Sequence, residues 1–498
     1  MLKRYLLFII AIIFAAATLP VTANAFYLDD DRNVELKGKV QARVSWRTDE
    51  SEGYTYPDTA KGNMVQQRNL FLIELNHSLL KQSETTPDLK YHILGRLLYE
   101  GVYDYGPKAY QDLREPSMTQ FGDGPNIDKF KKDADIWEAY ADYTKGRGFL
   151  RVGRQNLSWG ETDIFQLLDR INPIDNTFGG SFEDLDDRRI PIWMARGTYN
   201  LGQIGPISTV TIEGFFNPGF ADQKVAPMAP YGTPYAYPMP LQPPTYVHDP
   251  EATMSNSRTG VRLQGVVSDN FNFSLAHYKT IVDTPTAVVT FAPTVPGFVT
   301  QDMYYSTEQV TGGSVSFFES HLEAIIRAEV AYFWGEPVFI PEVNAPILFG
   351  QFRTGTIPTK DVFRYMVGID KNFWFRLLNE RSMFNAYLQY FAEYYPAYDD
   401  RQRVPVQRFP TGELMTEVRY DQKITLVLSN SWLEGTLNPQ LAIAYDPRGA
   451  VMTIPSIEYQ IDPWRLKVSY YRIDGDNDVS LGILRDRDQV SVQLTLLF

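Results

Sequence analysis

The residues that could do chemistry are few and scattered. The five histidines, His77, His92, His248, His277 and His321, show no H-E-x-x-H and no other spacing that would set two imidazoles on one metal. His77 and His92 fall on consecutive candidate strands, but no nucleophile is partnered with either. There is no cysteine. That removes disulfides, thiolate zinc, iron–sulfur centres, haem attachment and thiol nucleophiles. Asp474-Gly475-Asp476-Asn477-Asp478 resembles half a calcium loop but lacks the distal bidentate Glu, so a solvated turn is expected. The expectation is therefore no catalytic set, no metal and no cofactor.

One local motif is dense. Gly153-Arg154-Gln155-Asn156-Leu157-Ser158-Trp159-Gly160-Glu161 is followed by Arg170-Ile171-Asn172-Pro173-Ile174-Asp175. Between them Ile164, Leu167, Leu168 and Ile171 have helical spacing, Thr162 or Asp163 offers an N-cap, and Pro173 ends the run. This predicts a short amphipathic helix in a loop. Two readings follow. In one, Arg154, Gln155, Trp159, Gly160, Glu161, Asn172 and Pro173 build a constriction, with Arg154 and Glu161 fixing the loop to a wall. In the other they only set loop geometry.

The elements that must carry this loop read as strands. Val34, Leu36, Val40, Ala42 and Val44 alternate with Glu35, Lys37, Lys39, Gln41 and Arg43. The same period of two recurs near Trp137–Tyr143, Arg258–Gln264, Phe363–Asp370 and Phe384–Glu393. About 18 candidate strands follow, with 16 as the alternative. Connections after odd-numbered strands are long and those after even-numbered strands short, with the links 79–88 and 447–450 as exceptions. Seven of the eight tryptophans sit at or next to strand ends, where an amphipathic indole suits a membrane interface. The fold class expected is all-β: a transmembrane antiparallel up-and-down β-barrel with long outer loops and a short helix in the third outer loop.

A barrel of this size has room for an aqueous lumen. On this register the wall bases are Lys37, Lys39, Arg43, Arg68, Lys90, Arg96, Arg258, Arg262, Arg327, Arg364, Arg465 and Lys467. The wall acids are Glu35, Glu74, Glu100, Glu138, Asp142, Glu329, Asp370 and Glu393. Arg43, Arg68, Arg96, Glu100, Glu138, Arg258, Arg262, Arg327, Glu329, Arg364 and Glu393 are the pore-lining candidates. They either set an ion preference or pair across strands and brace the wall. A slip of one residue would reverse individual assignments.

Three loops are unusually apolar. Residues 218–257 hold nine prolines from Pro218 to Pro250, interleaved with Tyr231, Tyr235, Tyr237 and Tyr246, which favours extended, semi-rigid chain. Residues 281–307 carry Val288, Val289, Phe291, Val295, Phe298 and Val299. Residues 335–361 carry Val338, Phe339, Ile340, Ile347, Leu348 and Phe349. These make a cap for a greasy or aromatic solute, or they bury one another.

The ends set the compartment. Lys3 and Arg4 precede an apolar run from Leu6 to Leu19 and the small-x-small site Ala23-Asn24-Ala25. That is a secretory leader over 1–25, leaving 26–498 as one barrel. The formal charge of −13 for 498 residues becomes −15 without the two leader bases. An acidic chain with 14% aromatics suits neither a nucleic-acid partner nor a disordered one. Val490 to Phe498 alternates strictly and finishes on an aromatic.

The GRQNLSWGE and INPID segments, preceded by Glu138–Tyr143, resemble an uncharacterised family of Gram-negative outer-membrane proteins, catalogued as domain of unknown function thirteen-oh-two. The similarity is specific over Trp137 to Asp175. It implies a large barrel and a transport role beside lipid-exporting pumps, and names no substrate. Ending on Phe498 resembles the signal that outer-membrane barrels present to the barrel-assembly machinery. The expected function is a passive, substrate-specific channel for a small apolar or aromatic molecule in the bacterial outer membrane. The partners would be outer-membrane lipid, the solute and an envelope transport partner. The alternative is a barrel scaffold, or a docking partner of an envelope export or electron-transfer complex.

Overall fold

Alternating polar and apolar side chains force an extended segment to show two unlike faces, and a sheet of such segments can hide both only by closing around one of them. The chain does this with eighteen strands. They are β1 (Val34–Arg47), β2 (Met64–Leu80), β3 (Asp88–Glu100), β4 (Lys132–Lys145), β5 (Gly148–Gln155) and β6 (Ile192–Ile204). Next come β7 (Ile207–Asn217), β8 (Arg258–Val267), β9 (Phe271–Ile281), β10 (Thr307–Glu319), β11 (Ala324–Pro337) and β12 (Thr359–Phe373). The last six are β13 (Phe384–Tyr394), β14 (Tyr420–Ser429), β15 (Leu437–Asp446), β16 (Ala450–Ile461), β17 (Trp464–Gly475) and β18 (Gln489–Leu497). The computed structural model describes residues 26–498 apart from 51–59, 82, 84–85, 113–129, 178–182, 184, 221–223, 228, 230–231, 237–244, 269, 292–298, 352 and 409–410. The expected leader lies outside the described residues.

Each strand pairs antiparallel with its sequence neighbour, and β1 closes on β18 from Lys39↔Leu497 to Arg47↔Gln489. The count is the expected 18 rather than 16. Past the seam, Phe498 exchanges backbone hydrogen bonds with Gly38 at 2.6 and 3.0 Å. Its ring lies where a Cβ on residue 38 would stand, so a side chain there would displace the Phe498 ring.

Connections alternate in length. Residues 101–131, 156–191 and 218–257 join β3–β4, β5–β6 and β7–β8, whereas 146–147, 205–206 and 462–463 are two-residue turns. The exceptions are 447–449 at the long-loop end, and 81–87, 374–383 and 430–436 at the short-turn end.

Outward positions are apolar and exposed, among them Ile73, Leu97, Val261, Leu275, Val330 and Val367. So large an apolar belt on an isolated sheet needs lipid to cover it. No helix among the described residues is long and apolar enough to cross a membrane; the strands make the crossing. Trp193 and Trp334 are exposed at the long-loop end, and Trp374 and Trp432 at the short-turn end. Trp137 differs from the expectation. It lies inside β4 beside a bulge, buried under the Arg96 guanidinium at 3.2 Å.

The third outer loop has its short helix at Leu185–Arg188, not at 164–171. Residues 156–173 are irregular, and the reason is where their backbone donors go. The N–H groups of Glu161 and Leu168 donate to the two oxygens of Glu329 on β11, at 2.5 and 2.7 Å. The N–H of Leu157 donates to Asn172 Oδ1 at 2.8 Å. Wall and loop side chains replace the carbonyls that a helix would supply.

Candidate pore and its constriction

The ladder sets the charged wall residues on the inner face, and most meet a partner there. Arg262 on β8 and Arg196 on β6 both donate to Glu213 on β7, at 2.6 and 2.5 Å. Arg327 bonds Asp370 at 2.8 Å on the neighbouring strand. Arg364 pairs with Glu393 and, at 3.0 Å, with Glu336. Arg96 pairs with Asp133 at 2.6 Å. Glu138 accepts from Asn156 at 2.8 Å and lies 3.4 Å from His92 Nε2. Glu100 is fully buried and accepts from the Gln67 N–H at 2.6 Å. Arg258, also buried, donates to the Lys224 carbonyl at 2.6 Å. Opposite charges thus lock neighbouring strands, the bracing arrangement.

The loop after β5 then folds inward across this wall. Leu157, Trp159, Leu167, Leu168 and Ile171 are almost fully buried against inward side chains of β6 to β13, including Met194, Phe215, Tyr278, Phe333 and Met366. At about 1.5–3 kcal/mol for each large apolar side chain removed from water, this contact holds the loop firmly. Polar bonds fix its position. Trp159 Nε1 donates to Glu213 at 3.0 Å. Arg327 reaches the Glu161 carbonyl at 2.6 Å and Asp163 at 2.7 Å. Asn172 Nδ2 donates to Ile190 O at 2.9 Å and Gln155 O at 3.2 Å, while Pro173 O accepts from Ile190 N, so the two legs of the loop are tied together. Gln155 Nε2 donates to Met194 O at 3.1 Å. Gly160 packs with space for no Cβ-sized group without a push on Asp169 at 3.0 Å.

Arg154 does not meet Glu161. It pairs with Asp135 on β4 at 2.7 Å, because Glu161 has been carried across to β11. The other leg reaches the opposite wall. Glu183 binds Arg43 and, at 3.5 Å, Arg68, and Asp187 lies 3.5 Å from Lys39. Burial disfavours the Glu183 charge, yet the two guanidiniums prevail and hold its carboxyl below the usual range. Burial raises the Asp169 carboxyl, against the pull of Arg189. The loop therefore bridges the lumen from β1–β2 to β6–β13.

Further loops cap the bridge. Tyr235, from the proline-rich segment, reaches across the barrel: its hydroxyl donates to Gln489 Oε1 of β18 at 3.3 Å. Val288, Val289, Val338 and Ile340 are buried within the loops. Leu348 and Phe349 stay exposed. The side chains of Phe291, Val295, Phe298, Val299, Tyr237 and Tyr246 lie outside the described residues.

Between the bridge and the remaining wall lies a cavity of about 820 Å³. Ile164 and Phe165 of the loop face it from one side, with Arg170, Glu336 and Arg364. Val427, Ala442, Ala444, Met452 and Ile454 of β14 to β16 face it from the other. Asp283 also lines it. Burial pushes that carboxyl up to about 6, although Arg170 and Arg258 oppose the shift.

Glu183, Glu213 and Glu336 were missed in the sequence, and they are the hubs. Glu213 stands on β7 between Ile212 outside and Phe215 inside, so that strand is apolar on both faces and its polarity signal is weak. Among the described residues no group of His, Asp and Glu has the spacing of a metal site.

The chain is similar to OccK9 (OpdG) of Pseudomonas aeruginosa at 10% identity, covering 95% of this chain and 98% of that one, with a TM-score of 0.47. It is similar to OccAB3 of Acinetobacter baumannii at 8%, covering 94% and 99%, with a TM-score of 0.46. It is similar to Salmonella typhi OmpF, solved in complex with daunomycin, at 11%, covering 95% and 100%, with a TM-score of 0.40. No curated protein matches the sequence. The model of the protein family of unknown function DUF1302 matches residues 6–498, so the motif that crosses the lumen sits inside a full-length match and the chain belongs to that family.

Proposed function

We propose that the protein is a channel in the outer membrane of a Gram-negative bacterium, passing a small molecule with an apolar or aromatic body. The observation that carries this reading is the 820 Å³ cavity left by the inserted loop, with Val427, Ala442, Ala444, Met452 and Ile454 on one side of it. A general aqueous pore gains nothing from an apolar strip on its inner wall, whereas an apolar solute is desolvated there at low cost. The exposed apolar belt supports a place in lipid. Residues 1–25 act as a cleaved leader, and the terminal Phe498 presents the chain to the barrel-assembly machinery. The pore-lining charges Arg43, Arg68, Arg96, Arg262, Arg327 and Arg364, with their carboxylate partners, hold the wall rigid around the inserted loop, and transport needs no catalytic residue.

Liposome swelling and single-channel conductance test the reading. The expected result is a small stable conductance, with faster permeation of aromatic solutes than of sugars of equal mass. A tightly sealed barrel, with no flux for any solute class, would overturn it.

A further inference from the structure

The cavity is not uniformly greasy. Its apolar strip on β14 to β16 ends beside a polar group on β15, β16 and the adjacent β17: Gln440, Ser456, Ser469 and Lys467 line the same space. The other charges around the cavity are committed, apart from the buried Asp283, which feels Arg170 and Arg258 without an ion pair among the described residues. Arg364 is 3.0 Å and Arg170 3.4 Å from Glu336. Glu183 is held by Arg43 and Arg68, and Asp163 by Arg327 at 2.7 Å. Arg188 donates to Asn176 at 3.0 Å. Lys467 differs. Its register neighbours are Glu458 on β16 and Gln493 on β18, and it forms no ion pair among the described residues. An uncommitted ammonium next to two hydroxyls, at the end of an apolar strip, is complementary to a molecule with one negative group and one apolar body.

We propose that the cavity binds amphipathic monoanions, with the apolar body against Val427, Ala444, Met452 and Ile454 and the anionic group at Lys467 Nζ, flanked by Ser456 and Ser469. This rests on the channel reading and names its substrate class. The strip explains affinity for the body, and Lys467 explains selection by charge. Braced guanidiniums elsewhere in the lumen contribute little to that choice, because their own carboxylates neutralise them.

The test uses the full chain in planar bilayers, with potassium chloride carrying the current and water-soluble probes added: octanoate, octanamide, octylammonium and acetate. Octanoate is expected to block at a concentration about tenfold below octanamide, the equivalent of one modest ion pair, and acetate not at all. Lys467→Gln is expected to remove the preference of octanoate over octanamide, and Lys467→Arg to keep it. Arg465→Gln deletes an equal charge from the same strand outside the cavity lining and is expected to keep the preference of octanoate over octanamide. Potassium chloride current with equal block by all three octyl probes overturns the proposal and leaves the channel reading standing. Equal loss in Arg465→Gln and Lys467→Gln also overturns it, since bulk lumen charge would then be the cause. Should the barrel pass no current, the channel reading fails by itself. Saturable, Lys467-dependent binding of radiolabelled octanoate to the protein in lipid nanodiscs would then still support the site, and its absence would overturn it.

Discussion

Two backbone N–H groups of the inserted loop, those of Glu161 and Leu168, end on the two oxygens of one carboxylate, Glu329. Glu329→Leu leaves both donors buried without an acceptor, at about 1–3 kcal/mol each. The expected outcome is a lower unfolding temperature and a larger, noisier single-channel current. An unchanged current would mean that the loop is held by its apolar contacts alone. Asp283 gives a residue-scale prediction in pH. Its carboxyl, ordinarily near 3.8, is pushed up to about 6 by burial while Arg170 and Arg258 pull the other way. It is neutral below that pH and negative above it, so the cation preference of the current rises from pH 5 to pH 7. Asp283→Asn is expected to flatten the profile, read as reversal potential in a salt gradient. The sign for stability is the reverse of an ordinary paired acid. The folded state favours the protonated form, so stability from this group is complete below pH 3.8 and is lost as pH rises toward 6. At 1.36 kcal/mol per pKa unit that loss is at most about 3 kcal/mol.

At the scale of elements, the strands were legible and the loop only half so. Period two is a direct imprint of a sheet with unlike faces, and the ladder found eighteen strands close to where alternation set them. Arg262 and Arg364 face inward because their parity leaves no other choice once Val261 and Val367 face lipid. The spacing of Ile164, Leu167, Leu168 and Ile171 signalled burial correctly, with Leu167, Leu168 and Ile171 at 3% exposure or less. It did not signal helix, because a segment pressed against a wall can satisfy its donors on a wall carboxylate that lies 161 residues beyond Leu168 in the chain. Val310, Phe333, Val362 and Met366 could not be read as interior floor, because apolar side chains among the charged inward positions do not show in sequence that a loop will cover them. Leu168→Asp puts a charge at a fully buried site, where an unpaired carboxylate costs several kcal/mol. The loop is expected to leave the wall, opening the bond after Arg170 to trypsin in folded, reconstituted protein and raising the conductance. Continued resistance to trypsin would show that Asn172 and Glu183 suffice to hold the bridge.

At the scale of the molecule, one closed sheet must satisfy two solvents. The outer face carries exposed apolar side chains, some in aromatic pairs such as Phe271–Phe317 and Phe373–Phe384, and lipid must cover them. The inner face is a network in which most charges lean on a neighbour or on the inserted loop, with Lys467 as an exception among the described residues. The net charge of −13 describes neither face. This asymmetry has a direct test in two substitutions of similar chemistry. Val367 lies near the middle of β12, exposed on the outer face; Gln440 lies on β15, facing the cavity. Val367→Arg sets a guanidinium against hydrocarbon, expected to cost about 2–4 kcal/mol at mid-bilayer. Gln440→Lys sets an ammonium against water and polar side chains, expected to change stability by under about 0.5 kcal/mol while shifting the current toward anions. Urea titration of folding into vesicles reads the first quantity and reversal potential the second. Equal stability of the two variants would mean that Val367 does not face lipid, and the assignment of inner and outer faces would have to be reversed.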